Sequence, residues 1–196
     1  MNRIILRGRI DNIEFSHRIN SNNFYKATLS VQDSLDVIRI QFKNKCPYIN
    51  GDFVELEGSI RSHTEKLADG KNRVNIYVFT QFNKPSNSYS NNYFELDGRV
   101  CKTDKIRPTK HNQKHMHIIL ANNIFSYSGK QKLNNYIPVV GYDEFAEVLS
   151  KYKVNDRIII KGFLHSRPYI KTEDDKSIVK TAYEAIIDYC KEVTED

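Results

Sequence analysis

Aromatic rings and cations recur near the ends of short β-type runs along this 196-residue chain. In the first half they are Arg39, Phe42, Arg61 and His63, with Lys66, Lys71 and Arg73 around Asp69-Gly70. In the second half they are Arg107, Phe125, Tyr127, Tyr136, Tyr142, Arg167 and Tyr169, with Lys105, Lys110 and Lys114 close by in the chain. One chemistry uses both kinds of group. Cations along a track replace the counterions of a phosphate backbone, so binding weakens as salt rises. Flat rings stack on unpaired bases at about 1–3 kcal/mol per base, whatever the base, because every base has a π-face. Together they describe a sequence-tolerant site for a single-stranded nucleic acid. The competing role for each ring is the core of a small domain, and Phe15, Tyr25 and Phe125 read first that way.

Other chemistries find less support. His115 and His117, at i and i+2, share one face of a strand, and His111 could fold back as a third metal ligand. No nearby carboxylate or thiolate completes a zinc pattern. Segment 108–117 therefore reads as a solvated basic hairpin loop, and neither a metal nor another cofactor is expected. No nucleophile elbow, P-loop or dinucleotide fingerprint occurs, and the carboxylates form no acid–base cluster. The chain reads as non-enzymatic.

Bulk properties agree with a polyanion partner. Formal net charge is +6, with a pI near 9.1. Thirteen basic against 9 acidic residues occur up to Pro85, and 17 against 15 after it, so neither half is acidic. The isolated Cys46, Cys101 and Cys190 have no metal-ligand spacing and suit reduced thiols. The N-terminal run lacks the apolar stretch of a signal peptide, and no segment is long enough to span a bilayer. A cytoplasmic protein with no membrane partner is expected.

An internal repeat supplies the elements that must position these side chains. Leu6-Arg7-Gly8-Arg9-Ile10 recurs as Leu96-Asp97-Gly98-Arg99-Val100. The run from Gly51-Asp52 through Gly58-Ser59-Ile60-Arg61-Ser62 recurs from Asn155-Asp156 through Gly162-Phe163-Leu164-His165-Ser166. Between these anchors, 25–31 matches 116–122 and 38–42 matches 137–142, in the same order. The division expected is a domain over 1–84, a polar linker at 85–92 and a second domain over 93–196.

Within each copy, short alternating runs separated by turn signals indicate a small barrel. Gly8, Gly58, Gly98 and Gly162 suit points where a strand coils sharply. In 143–152, Phe145, Val148, Leu149 and Tyr152 have helical spacing, with Asp143 as the expected N-cap. The first copy has room there only for a turn. Strand–strand–strand–helix–strand–strand, the helix present in one copy, is the pattern of an OB fold. The expectation is a mainly β chain of two tandem five-stranded OB-fold barrels, with a helix between strands 3 and 4 of the second. Segment 181–193 is expected to begin as a strand and end as a short helix.

Tyr142-Asp143-Glu144-Phe145-Ala146-Glu147-Val148-Leu149, followed by Gly162-Phe163-Leu164-His165-Ser166-Arg167-Pro168-Tyr169, resembles the bacterial single-stranded-DNA-binding protein family. That family has a Phe-Gly-Lys-Leu-Ala-Glu-type helix after its third strand and a Gly-x-Leu-Arg-Thr-Arg-x-Trp-like run ending its fourth. The opening Leu-x-Gly-Arg-Ile/Val is also similar to its first strand. The match covers most of the second half and the first half more loosely. It implies that Tyr169 and Tyr136 take base-stacking Trp positions, Tyr142 a stacking Phe position, and Arg167 and His165 the basic positions before the first Trp. Arg61 and Phe42 are the counterparts in the first copy, where Glu65 stands in place of Tyr169. The family's acidic tail with an aromatic tip is not matched by Lys191-Glu192-Val193-Thr194-Glu195-Asp196, so recruitment of repair enzymes by that route is not expected.

The leading expectation is binding and protection of single-stranded DNA in replication, recombination or transfer. The second barrel would supply stacking and the first mainly charge. RNA is the alternative ligand, replication proteins are further candidate partners, and a homodimer carrying four OB folds is expected by analogy. A second reading is an OB-fold adaptor of a replisome or primosome with weak DNA affinity. A metal-dependent nuclease is a third.

Overall fold

The computed structural model describes the chain except for residues 45, 67–69, 71, 81–90, 126–131, 174–175 and 194–196. In the first half, β1 (Asn2–Ile19), β2 (Asn22–Val31), β3 (Val37–Lys43), β4 (Phe53–Lys66) and β5 (Asn72–Thr80) follow one another. β1 pairs with both β2 and β4, β2 with β3, β3 with β5 in parallel and β5 with β4, so the ring closes. The second half contains β6 (Asn92–Thr103), β7 (Arg107–Pro108), β8 (Lys114–Ala121), β9 (Ile124–Phe125), β10 (Lys132–Leu133), β11 (Tyr136–Tyr142), α1 (Glu144–Leu149), β12 (Arg157–Glu173) and β13 (Lys176–Glu192). Its ring closes in the same order through β6, β8, β11, β13 and β12. This is two tandem five-stranded OB-fold barrels, as the repeat predicts.

Alternation drives the closure. Ile38, Ile40 and Phe42 of β3 point inward with Leu29 and Ala27 of β2 and Val78 and Ile76 of β5, all buried. Arg39, Gln41 and Lys43 take the opposite phase. Phe42 is 0% exposed, with its ring stacked 5.8 Å from that of Tyr25. Its expected place on the binding surface is therefore corrected: Phe42 is core. Its positional match in the second barrel is Gly141, where an added Cβ would lie 2.7 Å from the Phe145 carbonyl oxygen. The helix closes one barrel end over a glycine, and a phenyl ring stands at the matching position of the barrel that has no helix among its described residues.

Asp143 stands at the N-cap position of α1, as expected, but makes no side-chain cap hydrogen bond. Its carboxylate instead accepts the Lys114 backbone N–H at 3.1 Å, joining the helix start to β8. β13 stays strand through Glu192 with no helical turn, which corrects the expected helical end of segment 181–193. A bulge between Lys161 and Gly162 leaves Asp188 without a partner residue on β12, because Gly162 pairs with Ile187 and Lys161 with Tyr189. The extra residue changes the spacing of Ala185, Ile187 and Cys190 from two to three, which imitates a helical period.

The barrels are joined by antiparallel pairing of β1 with β6, from Asn2 opposite Leu96 to Leu6 opposite Asn92. Asn92, the last residue of the expected linker, is thus the first residue of β6, while residues 85–90 lie outside the described residues. Where β1 stops pairing with β4, side chains take over the strand edge. Asn2 exchanges two hydrogen bonds with the Ile60 backbone (2.8 and 2.9 Å), and Asn135, from the other barrel, accepts the Ser62 N–H at 2.8 Å. The second barrel repeats the device. Asn92 exchanges two bonds with the Leu164 backbone (2.7 and 3.0 Å), and Asp36 accepts the Ser166 N–H at 2.7 Å. Asp36, Asn135 and Ser166 are buried polar residues satisfied across this junction.

Candidate nucleic-acid interface

The concave face of the first barrel holds a groove of about 1210 Å³. Its floor is the outward phase of β2 and β3. One wall is the curled end of β1, from Asn12 to Asn20, and the other is β4 and β5 at Arg61, His63 and Tyr77. This is the face of an OB fold, between its first and fourth connections, on which extended ligands lie.

Lys26, Arg39, Lys43 and Arg61 carry fixed positive charge into the groove. Glu14 is paired with Lys26 at 3.0 Å. Rings stand among the cations. His17 stacks on Phe24 with centroids 4.9 Å apart and planes 7° from parallel. His63 lies 6.2 Å from Tyr77, whose hydroxyl is pushed above its ordinary pKa by burial and stays neutral. The Arg61 guanidinium sits 4.0 Å over the Phe79 ring, which holds its plane in place.

Two of the expected residues meet where the barrels join. Arg73 lies over the Tyr169 ring, 5.4 Å from its centroid. Arg39 lies over the ring of Tyr183 at 4.9 Å, connecting the first groove to the β12–β13 hairpin. His165 faces the same seam, with Nδ1 2.9 Å from Asp36 Oδ1. Glu65, at the position matching Tyr169, accepts from Asn75 and is exposed. Lys66 is exposed where β4 and β5 run toward their hairpin tip, and Lys71 lies outside the described residues.

On the second barrel, Tyr142 pairs with His115 across β11 and β8, with ring centroids 6.3 Å apart. Burial raises the Tyr142 pKa, with Glu184 acting in the same direction and Arg167 against it. Arg167 lies 3.7 Å from Glu184. Arg107 is exposed and paired in register with His115, and Tyr136 is 39% exposed at the start of β11. Phe125 lies on β9 opposite Lys132, and Tyr127 falls outside the described residues. His115 and His117 share a face, with centroids 5.3 Å apart, while burial holds His117 below its ordinary pKa. Among the described residues no three His, Cys, Asp or Glu side chains gather as a metal site requires. No helix among them is long and apolar enough to cross a membrane.

Lys26, Lys43, Tyr77, His17 and Tyr183 were not among the residues singled out from sequence. The signal was present as phase. Tyr77 alternates with buried Ile76 and Val78, and Lys43 follows buried Phe42. In the register of the two barrels the counterpart of Tyr142 is Lys43, not Phe42, and a one-residue slip on a strand exchanges surface for core.

The model of the Single-strand binding protein family matches residues 91–191. No curated protein matches the sequence. Among solved structures, a deletion variant of the single-stranded DNA binding protein from Thermus aquaticus is similar, with a TM-score of 0.71 and 14% identity. The likeness covers 100% of this chain and 96% of that one. The wild-type Thermus aquaticus protein gives a TM-score of 0.70 at 14% identity, covering 100% of this chain and 94% of that one. At that identity the likeness carries the tandem OB fold and nothing finer.

Proposed function

The chain belongs to the single-strand binding protein family, and on that footing we propose that it binds single-stranded DNA along the concave faces of its two joined barrels. The groove of the first barrel carries this reading. It is open along its length, floored by cations and walled by rings, which is what an unpaired strand needs and what a rigid duplex does not fit. The bonds from Asp36 and Asn135 to the opposite barrel keep the two faces in fixed relation. Tyr169 and Tyr136 extend the stacking surface along the second barrel, with Arg167 and Arg107 beside it. The activity is binding and protection without catalysis, in replication, recombination or transfer. The unit is a domain over 1–84 and a domain over 93–196, two copies assembling to present four barrels in the cytoplasm.

Titration of a fluorescent oligo-dT at two salt concentrations, with duplex DNA and RNA as competitors, tests the reading. Micromolar or tighter binding that weakens with salt and resists duplex competitor is the expected result. Absence of binding at low salt would overturn it and leave the adaptor reading standing. Tryptophan quenching cannot serve as the signal, since the chain has no Trp.

A further inference from the structure

The groove of the first barrel and the matching face of the second can be compared position by position, because the junction fixes their equivalence. Asp36 and Asn135 play the same part before β3 and β11, as Ser62 and Ser166 do on β4 and β12. Counting from these points, Lys26, Arg39 and Lys43 of the first floor and Arg61 of its wall correspond to His117, Pro138, Tyr142 and His165 of the second barrel. Tyr77 corresponds to Glu184, since Arg61 pairs with Tyr77 and His165 with Glu184. Each fixed cation of the first floor has thus been replaced, and the aromatic wall residue has become a carboxylate.

The difference is one of kind. The first groove sets four fixed cations against Glu14. The second face has no Lys or Arg at those four positions; its Arg167, which matches the groove-lining His63, stands 3.7 Å from Glu184. Burial keeps His117 neutral at and above neutral pH. Phosphate oxygens laid along that face would meet one fixed cation, Arg167, already beside Glu184.

Resting on the single-strand reading above, we infer that the phosphate track of this protein lies in the first barrel. The second groove engages the strand through its bases. The family model matches residues 91–191, so the barrel that carries the family's sequence features is not the one with Lys26, Arg39, Lys43 and Arg61 in its groove.

The slope of log Kd for oligo-dT against log salt measures the number of phosphates neutralised, at about 0.7 per contact for a single strand. In the full-length chain at pH 7.5, Arg39→Gln with Lys43→Gln should flatten the slope by about 1.4. Arg107→Gln with Arg167→Gln should flatten it by less than half as much. A reciprocal variant, His117→Lys, places the first barrel's charge on the second floor and should steepen the slope by about 0.7. Equal or larger flattening from the Arg107 and Arg167 pair would overturn the inference while leaving single-strand binding intact. No binding by the unaltered chain would overturn both. Melting temperatures within about 2 °C of the unaltered protein would show that each variant is folded.

Discussion

Replacing Asn135 by Leu tests the joint that holds the two grooves together. The side chain is 1% exposed. Its Oδ1 accepts the Ser62 N–H at 2.8 Å and the Ser62 hydroxyl at 3.1 Å, and its Nδ2 donates to the Ile60 carbonyl at 3.0 Å. Leucine keeps the branched skeleton but its methyl groups are bulkier than the amide atoms, so any overpacking adds to the hydrogen-bond loss. The Ile60 carbonyl keeps the Asn2 amide, and the Ser62 hydroxyl can turn. The Ser62 N–H loses its acceptor in a half-buried place, which costs about 1–3 kcal/mol, and the lost amide–carbonyl bond adds about 1 kcal/mol. The sum is about 2–4 kcal/mol. For a chain of this length each kcal/mol moves the midpoint by about 2–4 °C, so the melt should fall by about 4–16 °C. Urea denaturation of the variant, of Ser62→Ala and of the pair would give the coupling directly. A loss below about 0.5 kcal/mol, or strictly additive single losses, would refute the reasoning, because the side-chain bonds across the junction would then contribute nothing.

Other perturbations separate core, charge and stacking. Phe42→Ala should cost about 3–5 kcal/mol in chemical denaturation through loss of core packing; wild-type stability with weakened oligo-dT binding would return Phe42 to the binding surface. Arg157, above all by its hydrogen bonds, and the N-terminal ammonium hold the Asp97 carboxyl below its usual range. Its stabilising contribution is therefore present above the ordinary Asp value near 4 and is lost as pH falls through the depressed folded value. Asp97→Asn should accordingly flatten the pH dependence of stability in that acid window, and an unchanged acid limb by circular dichroism would contradict the assignment. Tyr169→Ala with Tyr136→Ala should weaken oligo-dT binding by more than loss of a single cation, about 1–3 kcal/mol for each stacked base. Unchanged affinity in anisotropy titrations would remove both from the site.

The internal repeat makes the architecture legible in the sequence. Matching Leu6-Arg7-Gly8 with Leu96-Asp97-Gly98, and Gly58 with Gly162, led to two barrels, and the i, i+3, i+4, i+7 spacing from Phe145 placed the one helix. What stayed hidden was set by register. Phe42 and Lys43 are neighbours in sequence and differ entirely in environment, and only the pairing of β3 with β2 and β5 decides which faces the groove. The bulge beside Gly162 disguised the last strand because it adds one residue to a two-residue period. Asp36 and Asn135 bond strand edges of the opposite barrel, a contact that no local pattern in the sequence marks. The place of Tyr183 under Arg39 is likewise a contact between halves far apart in sequence.

The position of the strand on the first barrel can be read by photochemistry. An oligonucleotide carrying 5-iododeoxyuridine at successive positions, bound to the full-length chain and irradiated, crosslinks to rings stacked on the modified base, and mass spectrometry locates them. The groove on β2, β3 and β5 predicts crosslinks at Tyr77 or within the His17–Phe24 wall, besides any on the second barrel. A tightly bound strand whose crosslinks avoid the first barrel at every probe position would contradict it.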